Sequence, residues 1–328
     1  MTNKSYNYKI ILIISILVLA LSFLVSLTVG SVSIPLSDSV KLIAGKIFGF
    51  STDNISKSTS VILFSVRMPR VILSGLVGAC LSVSGCVMQG ILKNPLAEGG
   101  TLGVSSGASL GAVIAIFFSS ALHVQGYAFT ALFAMVFAFI SILIVMAIAH
   151  LIDKSISTAT LILTGVVFSM FASSIVSLII SLSGDQLRRI VFWSMGSFSG
   201  RGWQYVLLTL PFVIIGTVWI LRYTWELDAF ALGEQEARYI GVNVTRIKIE
   251  LFIAVSLLIG ISVSVSGVIS FVGLIIPHII RRLTGPSHLR LLVTSFFSGS
   301  AFLMLADLLS RTLLSPVELP VGVVTSLI

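Results

Sequence analysis

Charge is what this sequence has least of. Only 10% of its 328 residues are Asp, Glu, Lys or Arg, against roughly 25% in a soluble domain. Carboxylates are the scarcer sign, with 12 Asp and Glu against 20 Lys and Arg. A soluble enzyme and a disordered chain are thereby excluded. There are only two cysteines, Cys80 and Cys86. Six positions apart on one helix, they lie on different faces and about 9 Å apart along the axis, too far to bridge. They read as small packing residues, and a disulfide scaffold is excluded. The four histidines, His123, His150, His278 and His288, have no ligand spacing, so no metal site is expected. No G-x-x-x-x-G-K-[ST] loop occurs, since Gly45-Lys46 is followed by Ile47; this chain is not expected to hold a nucleotide or any other cofactor. Neither catalytic triads nor relays of acids and histidines are present, and no catalytic residue is assigned.

Hydrophobic residues make up 56% of the chain. A membrane-spanning helix needs about 20 mostly apolar residues, so the composition predicts an all-α polytopic membrane protein. Long continuous runs, rather than alternation in tens, exclude a β-barrel. The net charge of +8 raises nucleic acid as a partner on a soluble chain. Here it reads as Lys and Arg kept in loops, with membrane lipid as the surroundings. Ten apolar segments lie near 10–29, 61–91, 101–121, 127–149, 158–182, 203–223, 250–266, 268–280, 290–314 and 319–328. The first, after Lys4 and Lys9, is longer than a signal-peptide core and is read as a retained helix. Residues 1–328 form a single transmembrane domain in this reading, with 1–60 as first helix and outer connection. The last segment, nine residues after Leu319, is short for about 30 Å of hydrocarbon and is expected to be an incomplete span.

Ten spans place both termini on one side. With the termini cytoplasmic, eleven of the twenty basic residues face inward, so the positive-inside rule leaves the orientation open. Residues 31–60 read as an outer connection containing an amphipathic stretch, Leu36 to Ile47. Residues 226–248 are the most polar stretch of the chain. There Glu234 and Glu236 precede Arg238 in the order a helix dipole favours, Gly241 is a natural stop, and Asn243 can cap a second short helix. A helix–turn–helix outside the membrane is predicted. Val83-Ser84-Gly85 and Val265-Ser266-Gly267 are each followed, ten residues after the glycine, by Pro95 and Pro277. This offset aligns the second span with the seventh, giving two inverted five-helix halves.

Gly103, Gly107 and Gly111 make a small-residue ladder on the third span, as do Ser74, Gly78 and Ser82 on the second. In lipid such faces allow close van der Waals packing. Arg67-Met68-Pro69-Arg70 opens the second span, with proline in a first helical turn. These arginines either snorkel at the interface or form an exposed pair for acidic groups on a partner. Asp307 and Arg311, four apart, meet on one helix face at the same end of the molecule as Arg67 and Arg70.

RMPR at 67–70, SGCVMQGILKNPLAEGGTLGVSSGASLG from Ser84 to Gly111 (with Asn94 and Pro95 as structural positions), LGEQEARYIGVNV from Leu232 to Val244, GVISFVGLIIPHIIRRLTGPSHLR from Gly267 to Arg290, and LADLLSR followed by ELPVGVVT resemble the FecCD-type permeases. These are the membrane subunits of ABC importers for ferric siderophores, haem and cobalamin. The resemblance runs from about residue 60 onward. It implies ten helices per subunit, a second permease subunit, identical or homologous, and two separate ATPase subunits that bind ATP and Mg. It also implies an extracytoplasmic binding protein. By position, Leu232, Gly233, Glu234, Glu236, Ala237, Arg238, Gly241, Val242 and Asn243 look like the coupling segment seated on the ATPase. Arg67, Arg70 and Arg311 look like outward arginines that dock the binding protein, which fixes the orientation. Gln186 to Gly200, with Gln186, Trp193 and Gly196, is similar to the short outer helix narrowing the pore. Ser105 and Ser106 are further candidates for its wall.

The expected function is therefore an ATP-driven importer's permease, with ferric siderophore as cargo and haem or cobalamin open. An ion-coupled carrier working alone would need membrane-embedded acids, and here only Asp307 and Glu98 are available.

Overall fold

The structure is a computed structural model and describes residues 8–30, 34–49, 55–119, 127–154 and 156–328. Every regular element among the described residues is helical, as expected of a chain that must satisfy its own backbone in lipid. α1 (Tyr8–Thr28) is followed by the amphipathic α2 (Leu36–Phe48), which ends at Gly49 in the left-handed conformation. α3 (Lys57–Val61) is capped by the Ser56 hydroxyl and runs through a π-helical turn, Ile62–Arg67, into α4 (Met68–Leu92). Pro69 therefore does not open the span; it sits inside a continuous helical stretch from Lys57 to Leu92. The Met68 N–H bonds to the Leu63 carbonyl, the wide π register that lets a helix pass a residue with no N–H of its own.

The chain continues through α5 (Val104–Phe118), α6 (Tyr127–Ile152), α7 (Thr158–Leu182), α8 (Leu187–Ser194), α9 (Trp203–Leu221), α10 (Thr224–Leu232), α11 (Glu234–Tyr239), α12 (Val244–Ser266), α13 (Val272–Thr284), α14 (His288–Thr312) and α15 (Val321–Leu327). Among the described residues, seven helical stretches are long and apolar enough to cross a membrane. Three shorter helices, α5, α13 and α15, complete the ten segments predicted. Irregular segments precede α5 and α13. They meet where the Phe271 N–H donates to Glu98 Oε2, 3.3 Å away.

α4, α12 and α14 form the centre. About 89% of the α4 span is buried, against 17% for α7. Small residues set the approach of α4 to α14: a Cβ on Gly78 would overlap the Gly299 carbonyl, and Ser82 Oγ donates to the Ser295 carbonyl at 2.8 Å. Cys80 and Cys86 are buried free thiols in this core.

Two expectations need correction, on Gly103 and on Asn243. Gly107 and Gly111 do pack on α6, against Ser141, Phe137 and Phe133, but Gly103 is the left-handed N-cap of α5 and faces Phe168 and Gly165 of α7. The two Val-Ser-Gly motifs that align the second span with the seventh differ in local conformation. Gly85 lies mid-helix while Gly267 terminates α12, and Pro95 lies in a turn while Pro277 lies inside α13. Finally, Asn243 caps no short helix. Its Oδ1 accepts from the Arg246 N–H at 3.1 Å and starts the long span α12.

Candidate functional site

The polar groups gather at opposite ends of the bundle. At one end α10 and α11 project between α9 and α12. The two are separated at Gly233, whose φ of 152° strains any other residue. Their outer surface mixes exposed apolar and aromatic groups, Trp225, Leu232, Tyr239 (87% exposed) and Ile240, with the exposed polar side chains of Gln235, Glu236 and Arg238. Ala237 and Val242 turn the other way, into the main core. Of the predicted coupling residues, Leu232 therefore lies on the outer surface, while Ala237 and Val242 hold the protrusion to the bundle. Gly241, at φ 92°, ends α11 as its sequence position predicted.

Buried polar links fasten this protrusion. Lys248 of α12, 1% exposed, donates to Glu234 Oε1 at 2.7 Å and to the Ile156 carbonyl at 3.1 Å. The Thr158 hydroxyl donates to the same Glu234 oxygen at 3.0 Å. The first residue of α11 is thus tied to the start of α7. Asp228 of α10 accepts from the His288 N–H and pairs with its Nδ1, both at 2.7 Å, tying the protrusion to α14. Glu250 accepts from the Tyr223 hydroxyl, and this carboxylate holds the Tyr223 phenol above its ordinary range.

At the opposite end stand the three arginines. They are not an exposed pair: Arg67, Arg70 and Arg311 are each 7% exposed or less. Arg70 forms a fork with Asp307 at 2.9–3.1 Å and reaches Glu318 at 3.0 Å. Arg311 pairs with Asp307 at 3.2 Å, as its spacing predicted, and donates to the Ser26 carbonyl. Arg67 donates to the carbonyls of Leu27 and Thr28. The helix ends are stitched together by guanidinium groups because a buried carboxylate and frayed carbonyls need strong donors. Sequence spacing found the Asp307–Arg311 pair; it missed Glu318, which lies eleven residues after Asp307 in an irregular turn.

Beside this cluster opens a cavity of about 770 Å³, walled by Trp193 and Phe192 of α8, Arg189, Arg201, Ile116 and Glu318 among others. Trp193 is one of its lining residues. Gln186 stands behind the wall, accepting from Arg189 at 3.2 Å. Gly196, left-handed at φ 73°, lets the backbone pack on the Val268 carbonyl. A second groove of about 280 Å³ runs between α5 and α7 and is lined by Ser105, Ser106, Ser109, Ser173 and Ser177. Ser105 and Ser106 lie on one side of this groove, whose lining has no charged side chain. Asn94 and Pro95 form the bend before α5, where Asn94 Oδ1 accepts from the Leu96 N–H. Groups of three or more metal-ligating side chains are absent among the described residues.

The family model of the FecCD transport family matches residues 17–328. The chain belongs to the FecCD transport family. An uncharacterised ABC transporter permease of Bacillus subtilis is 45% identical over 94% of this chain and 88% of its own length. A hemin transport system permease of Yersinia pestis is 40% identical over 81% and 80%. A cobalamin import system permease of Halobacterium salinarum is 38% identical over 84% and 72%. A solved structure titled as an inward-facing conformation of a putative metal-chelate type ABC transporter superposes with a TM-score of 0.84 at 31% identity, covering 98% of this chain and 96% of that one. This FecCD chain is accordingly a multi-pass membrane permease of an ABC importer, and a transport subunit rather than an enzyme.

Proposed function

We propose that this permease carries a ferric siderophore from an extracytoplasmic binding protein into the cytoplasm. It pairs with a second permease subunit and is driven by two ATPase subunits gripping α10 and α11. The observation that supports this most is the link from Glu234 through Lys248 and Thr158 to α7. A push on the protrusion reaches α12 through the Glu234–Lys248 ion pair and, through the Thr158 hydroxyl on the same Glu234 oxygen, the helix that the bundle covers least and that bears part of the serine groove. A wall of hydroxyls without charge holds cargo weakly, which suits release. Both termini are cytoplasmic in this reading. The arginine end then faces outward, where acidic groups of the binding protein compete with Glu318 for Arg70, while Arg67 and Arg311 hold the helix ends behind it.

Haem and cobalamin are the other cargoes, favoured by the names of the hemin and cobalamin relatives. The test is ATP-driven uptake by the reconstituted complex. Lys248→Met should leave the subunits assembled and ATP hydrolysed, while uptake per ATP falls at least tenfold. Unchanged uptake per ATP would remove the link from the account.

A further inference from the structure

The cavity beside α8 differs from the serine groove in one respect: it is cationic. Arg189 and Arg201 line it directly, and among the described lining residues Glu318 is the sole acid. That acid is already engaged by Arg70 at 3.0 Å. Behind it the cluster adds Arg67 and Arg311 with Asp307. Two guanidinium groups, those of Arg189 and Arg201, thus line the opening beside one carboxylate that Arg70 already engages.

Low-dielectric walls focus such a field, so the cavity draws anions in. Two of the groups are held in place rather than left to swing. Arg201 is buried and lies 4.7 Å over the Tyr205 ring, with its Nη1 donating to the Tyr205 hydroxyl; Arg189 is propped by Gln186. Between them Trp193 and Phe192 offer flat apolar surface. About 770 Å³ falls in the range of small-molecule sites, roughly 300–1,000 Å³.

We infer that this cavity receives the cargo itself and selects a metal chelate bearing carboxylates and net negative charge. Such a ligand sets its anionic groups on Arg189 and Arg201 and its apolar face on Trp193 and Phe192. A neutral corrinoid gains nothing from this arrangement. The inference rests on the permease reading and narrows its cargo class.

The potential in the cavity can be read without transport. Ser199 is exposed on its wall, and the native thiols, Cys80 and Cys86, are fully buried. In the permease–ATPase complex, without binding protein, Ser199→Cys is titrated with an anionic and a cationic thiosulfonate reagent. The anionic-to-cationic rate ratio should exceed that of glutathione about tenfold, and Arg189→Glu should abolish the excess. Millimolar ferric citrate or haemin should slow modification, and cyanocobalamin should not. Protection by ferric citrate alone, or by haemin alone, identifies which kind of carboxylate chelate the cavity accepts. A ratio within twofold of glutathione, an excess that survives Arg189→Glu, or equal protection by cyanocobalamin overturns the inference. So does protection by none of the three, since the charge would then serve only an acidic protein surface. A failed thiol assay with intact ATP-driven uptake sinks this inference alone; absent uptake sinks the permease reading.

Discussion

Replacing Asp307 by alanine tests the arginine cluster most sharply. The carboxylate is 1% exposed and holds two guanidinium groups, Arg70 at 2.9 Å and Arg311 at 3.2 Å. Removing one partner of a buried ion pair costs about 3–5 kcal/mol, because the other charge stays buried. Here two cations lose their shared anion and come to face each other. Arg70 keeps Glu318 and Arg311 keeps the Ser26 carbonyl, which places the cost near the lower bound, about 3 kcal/mol. At about 2–4 °C per kcal/mol, the thermal midpoint of the purified permease in detergent should fall by about 6 °C or more. Asp307→Ala combined with Arg70→Met should recover part of that loss, since one stranded cation is gone. A midpoint within 2 °C of the parent, or a double variant less stable than the single one, would refute the idea that the ion pair holds these helix ends together.

Other outcomes follow from the same geometry. Gly85→Leu should prevent folding, because even a Cβ there overlaps the Gly273 carbonyl; membrane-inserted yield checks it. Tyr239→Asp, on a residue 87% exposed, should leave the thermal midpoint unchanged and abolish co-purification of the ATPase subunits. Ala237→Glu puts a charge into the core that Ala237 helps to fill, so it should lower both yield and ATPase association.

Much of this fold was legible in the chain because lipid imposes a simple rule: a span is a long apolar run. The segments near 158–182 and 203–223 became α7 and α9 almost residue for residue. What the rule cannot see is where a helix stops inside the membrane. α5 and α13 are shortened by irregular segments that meet at Glu98 and Phe271, a contact between positions 173 apart that no local pattern encodes. The site was legible to the same degree. Spacing of four gave Asp307–Arg311, and the Glu–Glu–Arg order gave α11. Glu318 on Arg70 and Lys248 on Glu234 were invisible, since both pairings depend on tertiary packing. Spacing also misjudged exposure: RMPR reads as a surface motif, yet helix ends around it leave carbonyls and a carboxylate that draw the guanidinium groups inward.

The central claim is that the protrusion of α10 and α11 stands in the cytoplasm, where an ATPase grips it. Tyr239→Cys treated with a membrane-impermeant maleimide decides this directly. Labelling is expected in inside-out vesicles, with protection once the ATPase subunits are added, and none in intact cells. Labelling of intact cells would contradict the account.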